Sequence, residues 1–308
     1  MTKSLVDDLI EWFGCKSKTF DTFIARHAHI KEWAISADFC FDKSLPNQTY
    51  AFTVIPLNKA ELTIMDEITQ KLPRDLKKTR NVTEEMLSFL RSESFFHFGF
   101  VVDKHRNASA SDVKAQIDQM VRFFRKGNAT EALLKNFESL GVAAQAKAFN
   151  TRLYMDMMVL CSLFTFIVLL LARDTGAQRI DLYPDRDKMT DWLDGLYGDL
   201  VNHMVRHDIA ARGIDKAGFK VRTVAQSRQS TQKGVWYDPF VRLPDYVAGA
   251  LAKMTWLGEP LLADKQSRVR TGAFQDADNM FFCDLDFECP WGPSGFAFER
   301  FDFRTAFT

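Results

Sequence analysis

Between Asp156 and Arg173 the chain carries no charge, and the run 157–172 is apolar or small in every helical direction. A helix built from it has no face to offer water and must be surrounded. At ~1.5 Å per residue it reaches about 24 Å, short of the roughly 20 apolar residues that cross a ~30 Å hydrocarbon layer, which predicts a core helix and not a membrane span. The Thr175-Gly176-Ala177 break then feeds Ile180-Asp-Leu-Tyr183, which alternates and stops at Pro184 as a strand would. Asp185 and Asp187 therefore stand just past a strand end, where ligands and catalytic groups gather in open α/β sheets.

The same reading organises the rest of the chain. Residues 4–30 form a helical lead-in, with Leu5, Leu9, Ile10 and Phe13 on one face. The period then changes to two: Lys31 to Asp42 places Trp33, Ile35, Ala37, Phe39 and Phe41 on one side and Ala34, Ser36, Asp38 and Cys40 on the other, the pattern of a strand covered on both faces. Thr49 to Leu57 is its hairpin partner, and a helix follows with Asn58 as N-cap and Pro73 as its stop. After the basic connection Arg74 to Arg80 come a short helix (83–90), a strand (95–103) and two helices (111–126 and 131–149). Beyond Asp187 the spacing predicts a helix over 189–211, a strand over 219–225 and a helix over 243–256. Strands first, then strands separated by helices, predict an α/β fold closed by a mixed sheet.

Composition narrows the classes. The 308 residues are 46% hydrophobic and 26% charged, which excludes disorder and fibre. Lys plus Arg and Asp plus Glu balance at 40 each, so contact with nucleic acid must come from a local patch. Five cysteines without a C-x-x-C pair favour a reducing, cytoplasmic setting and no structural zinc, and the early charges at the N-terminus leave no signal-peptide apolar region. Dinucleotide, NTP, esterase and zincin motifs are absent. His203 and His207 stand four apart on one helix, but Met204 follows the first where a zincin has Glu. They read as exposed histidines.

The candidate chemistry lies in three acids far apart in sequence: Asp38 on the first strand, Asp185 (or Asp187) past a later strand, and Asp245 at the start of the helix after the last strand. Hydrolysis of phosphodiesters by two metal ions about 3.5–4 Å apart needs such a set, because hard Mg²⁺ or Mn²⁺ prefers carboxylate oxygens. Arg74, Lys77 and Lys78 in the basic connection, together with Arg186 and Arg242, are the cations expected to meet phosphates of DNA or RNA.

The segment Arg228 to Ala250, and within it Val241-Arg-Leu-Pro-Asp-Tyr-Val-Ala-Gly249, resembles the closing motif of the RNase H-like domain-of-unknown-function family 3800, keeping its Asp, Ala and Gly. Asp38 and Asp185 occupy, in order, the places of that family's opening and mid-chain strand-end acids, so the resemblance spans residues 31 to 255. It implies an RNase H-like domain over 31–258, with a mixed five-stranded sheet, the first three strands antiparallel, helices on both faces, and Asp38, Asp185 and Asp245 meeting at the central strands. It also implies metal-dependent nuclease activity within a phage-defence or mobile-element system. One departure matters: Phe39-Cys40-Phe41 stands where the family has Glu-Ser-Gly, which removes a metal ligand, places aromatic bulk at the strand end, and opens a second expectation of an inactive interaction subunit.

Outside that domain lie the lead-in (1–30) and an aromatic, acidic extension (259–308). In the extension 281–289 alternates as an edge strand would, and Phe296, Phe298, Phe301, Phe303 and Phe307 form a strip expected either to cover the domain or to dock a protein partner.

Overall fold

The computed structural model describes residues 5–14, 18–102, 109–127, 129–146, 148–194, 196–214, 218–224, 236–254, 264–275 and 277–285. The alternation of residues 31–42 becomes β1 (Glu32–Cys40), and its two-sided burial follows from its place inside a sheet with a protein layer on each face. Its hairpin partner β2 (Gln48–Pro56) is buried at every position, as is β3 (Phe96–Val102), which pairs antiparallel with β2. β4 (Arg179–Pro184) lies parallel to β1 on its other side, and β5 (Lys220–Thr223) parallel to β4. The fold is α/β with a mixed sheet in the order β5-β4-β1-β2-β3-β6. The sheet has six strands where five were expected: residues 280–285 form β6 (Met280–Leu285) and extend the β3 edge in parallel, His97 opposite Met280.

Trp33, Ile35 and Ala37 of β1 point into the larger of two hydrophobic layers. Its centre is α7 (Thr151–Asp174), in which every residue from Tyr154 to Ala172 is buried. The helix runs past both ends of the apolar run and is, by length and composition, long enough to cross a membrane, yet the fold encloses its apolar stretch fully. Around it stand α1 (Leu5–Gly14), α2 (Lys18–Arg26), α5 (Ala110–Lys126), α6 (Glu131–Ala143) and α9 (Leu196–Ala211). Phenylalanines fasten this layer. Phe13 of α1 meets Phe166 of α7 at 5.5 Å and Phe281 of β6 at 4.8 Å, edge to face, and Phe20 of α2 meets Phe96 of β3 at 4.9 Å. Pairs of this geometry contribute about 0.5–1.5 kcal/mol each beyond their buried area. The lead-in and the first strand of the extension thus share one core with the central domain.

Ala34 of β1 and Ala51 of β2 face the second layer, which is centred on α10 (Asp238–Ala252) and completed by α3 (Glu61–Lys71), α4 (Glu84–Leu90), α11 (Lys265–Val269) and a π-helical turn (Arg270–Phe274). Four boundaries depart from expectation, the first being the helix expected over 131–149, which ends at Ala143 as α6. The Asn58 N–H turns back onto the Pro56 carbonyl, so α3 starts only after Ala60. The helix expected over 189–211 is interrupted: a short α8 (Lys188–Asp191) leads to Leu193 in the left-handed region at φ 47°, ψ 49°, and α9 begins after it. Last, α10 begins at Asp238 and contains Pro244 in its interior, so Asp245 sits well inside a helix expected to begin near it. Pro239, at a first-turn position that needs no N–H partner, provides the start, and burial of Phe240, Val241 and Leu243 offsets the backbone bond lost at Pro244. The aromatic strip from 296 to 307 and the whole segment 228–235 lie outside the described residues.

Candidate functional site

Two backbone relationships bring the acids together. Because β4 runs parallel to β1 with Pro184 opposite Ala37, the next residue of each strand stands side by side, and the Asp185 N–H donates to the Ala37 carbonyl at 2.7 Å. Asp38 projects to the α10 side of the sheet, with the parity of Ala34. α10 is held along β1 and β2 by polar ties: the Thr49 hydroxyl donates to the Ala248 carbonyl at 3.2 Å, and the Asn47 amide donates to the carbonyls of Leu251 and Met254 at 3.0 and 2.6 Å. These fix the height of α10, and Asp245 comes to the Asp38 carboxyl. Gly249 permits the next contact, since a Cβ there would lie 2.8 Å from Leu76. The Leu76 N–H in turn donates to Asp245 Oδ2 at 2.5 Å, which ties the basic connection to the acid site.

Electrostatics links these three to one another. Burial first, then the charges of Asp245 and Asp185, raises the Asp38 carboxyl well above the ordinary carboxylate range, and Asp38 is within hydrogen-bonding reach of both. Asp185 is raised mainly by burial, and Asp245 is pushed up to about 6 by burial and by the charges of Asp75 and Asp185, against the opposing Leu76 N–H bond. Neighbouring cations are bound elsewhere: Lys78 to Asp75 at 2.5 Å, Arg186 to Asp191 at 2.8 Å and Arg242 to Asp238 at 2.6 Å. A gathered set of hard oxygen donors, none of the three in an ion pair among the described residues, suits a hard divalent cation in its chemistry. As they stand, the carboxyls are directed at one another, and among the described residues no three His, Cys, Asp or Glu side chains are arranged as a ready-made metal nest.

Asp75 is the member that sequence reasoning overlooked. It lies inside the basic run Arg74 to Arg80 and pairs with Lys78, yet its field also reaches both Asp185 and Asp245. Asp187 serves a different purpose: its Oδ1 accepts from the Met189 N–H at 3.0 Å and caps α8, while the Thr190 hydroxyl accepts from its own N–H. Of the five expected phosphate-binding cations, Arg74 and Lys77 are exposed and have no ion pair among the described residues. Arg242 is instead a structural tie, mostly buried, bonded to Asp238 and to the Leu72 carbonyl that ends α3.

Aromatic bulk does not enter the acid face. Alternation turns Phe39 and Phe41 to the α7 side, where they stack on each other and meet Tyr50 at 5.8 and 5.1 Å. The residue between them, Cys40, faces the acids, and burial together with the charges of Asp38, Asp42 and Asp245 keeps its thiol protonated. His203, expected on an exposed face, packs its ring edge-on against Phe124 at 4.9 Å, and burial lowers its pKa, while His207 is exposed. Compared with protein-family models, with curated proteins and with solved structures, the chain matches none.

Proposed function

We propose that this protein is a divalent-metal-dependent nuclease built on an RNase H-like scaffold. The observation that carries the proposal is the convergence of Asp38, Asp185 and Asp245, from three separated elements, into one partly buried acidic site, none of the three forming an ion pair among the described residues. Two features of the sheet support the scaffold: its first three strands are antiparallel and helices cover both faces, as the resemblance implies, while β4 and β5 add in parallel and β6 makes a sixth strand. The position of Phe39 and Phe41 supports an enzyme over an inactive interaction subunit, because the acid face is free of their bulk.

In this reading Asp38, Asp185 and Asp245 would hold Mg²⁺ or Mn²⁺, which when bound polarises the phosphodiester and lowers the pKa of water at the site. The protein contributes the rest. Its carboxyls must lose their shared protons before they can act as ligands, so cation binding and activity rise with pH through the range of the raised pKa values. Burial strengthens each remaining interaction by excluding water. Arg74 and Lys77, on the segment tied to Asp245 through Leu76, supply the sequence-independent attraction for a phosphate backbone. Incubating the protein with single- and double-stranded DNA and RNA, with Mg²⁺, Mn²⁺ or a chelator, tests this. Cleavage of at least one substrate that the chelator abolishes is expected. Absence of cleavage on all four with either ion would overturn the nuclease assignment.

A further inference from the structure

Trp236 is an exposed aromatic side chain, at 58%. It is not loosely placed. Its ring meets Tyr183 at 5.8 Å and 86°, and Tyr237 at 5.6 Å and 88°, so it stands upright on a tyrosine base. That base is itself fixed: Tyr237 is fully buried and its hydroxyl donates to the Pro184 carbonyl at 3.2 Å, while Tyr183, also fully buried, packs on Phe240 at 5.1 Å.

The position gives this ring meaning. Tyr183 lies near the end of β4, two residues before Asp185, a separation of ~7 Å for extended backbone, and Tyr237 is bonded to the residue immediately before Asp185. Trp236 therefore flanks the acid site on the β4 side. On another side lies the segment that donates to Asp245, whose Arg74, Lys77 and Arg80 are exposed and without ion pairs among the described residues. A rigid aromatic on one side of the site and exposed cations on another are the pair of features that single-stranded nucleic acid uses, bases on rings and backbone on cations. In a duplex each base is already covered on both faces by its neighbours and has no face to give.

Resting on the nuclease reading above, we infer that Trp236 is a stacking platform for an unpaired nucleobase next to the scissile phosphate, and that the substrate is single-stranded DNA or RNA. Stacking is sequence-tolerant, because every base has a π-face, so the site selects strandedness and not sequence.

Fluorescence anisotropy with labelled single-stranded and duplex oligonucleotides of one sequence, as DNA and as RNA, tests this in chelator so that nothing is cleaved. Wild type should prefer a single strand. Trp236→Ala should weaken that binding about tenfold, the loss of one stacked base, while duplex binding and thermal stability stay unchanged, and Trp236→Phe should recover most of it. An oligonucleotide with one abasic position should lose affinity for wild type and not for Trp236→Ala. If wild type binds and cleaves nucleic acid but Trp236→Ala binds single strands equally well, or loses single-strand and duplex binding alike, the stacking role is wrong and the nuclease assignment stands. A wild type that prefers duplex overturns the single-strand inference in the same way. Neither binding nor cleavage by wild type overturns both.

Discussion

At the scale of single residues, two groups push stability in opposite directions with pH. His97 is fully buried, its Nε2 donating to the Leu90 carbonyl at 3.0 Å and its Nδ1 accepting from the Thr53 hydroxyl at 2.9 Å, and burial lowers its pKa to about 4. The unfolded chain therefore takes up a proton before the folded one, and stability is lost as pH falls from ~6.5 to about 4. The acid site does the reverse. With pKa values raised in the fold, Asp38, Asp185 and Asp245 are deprotonated at a cost, so their contribution falls as pH rises above the ordinary carboxylate range, for Asp245 through about 6. Asp245→Asn should accordingly raise stability at pH 8 by about 1–3 kcal/mol in metal-free buffer, because Asn keeps an oxygen for the Leu76 N–H and carries no charge. Urea midpoints at pH 5 and pH 8 check this, and a gain that is absent at pH 8 or larger at pH 5 would contradict it. The three acids were legible in the sequence because strand periodicity and strand ends mark where such groups collect. Asp75 was not, since its effect depends on a fold-back of the connection onto α10 that no local pattern records.

At the scale of elements, α7 and α10 carry different loads. Leu163 and Phe166 are fully buried, and Phe166 meets Phe13, Phe98 and Phe100 at 5.5–6.4 Å. Leu163→Ala or Phe166→Ala should cost on the order of 2–5 kcal/mol through lost contacts and a cavity, read as a shift in denaturant midpoint with unchanged slope. A cost below about 1 kcal/mol would mean that the helix is not enclosed. α10 instead sets the site. Gly249→Val would drive a side chain into Leu76 and displace the N–H that Asp245 accepts, so cleavage should fall with a smaller loss of stability than Leu163→Ala brings. Equal activity of Gly249→Val and wild type would separate the Leu76 contact from function. The uniform apolarity of α7 made it readable without structure. The start of α10 was not, because Pro244 resembles a first-turn proline and only tertiary burial of Phe240 and Val241 carries the helix through it.

For the molecule as a whole, the sheet reaches further than the sequence suggested. The alternation at 281–289 marked a strand, but its partner could be any exposed edge, and only the phenylalanine contacts from α1 through Phe281 to Phe98 place it against β3. One rigid sheet then spans both layers, with the acid site where β1, the end of β4 and α10 meet. Cleavage of oligonucleotides in Mn²⁺ by Asp38→Asn, Asp185→Asn and Asp245→Asn, each compared with wild type at equal folded concentration, tests that site most directly. Each variant should lose roughly 10²–10⁴-fold in rate with thermal stability unchanged or raised. Wild-type cleavage by all three would contradict a shared carboxylate site.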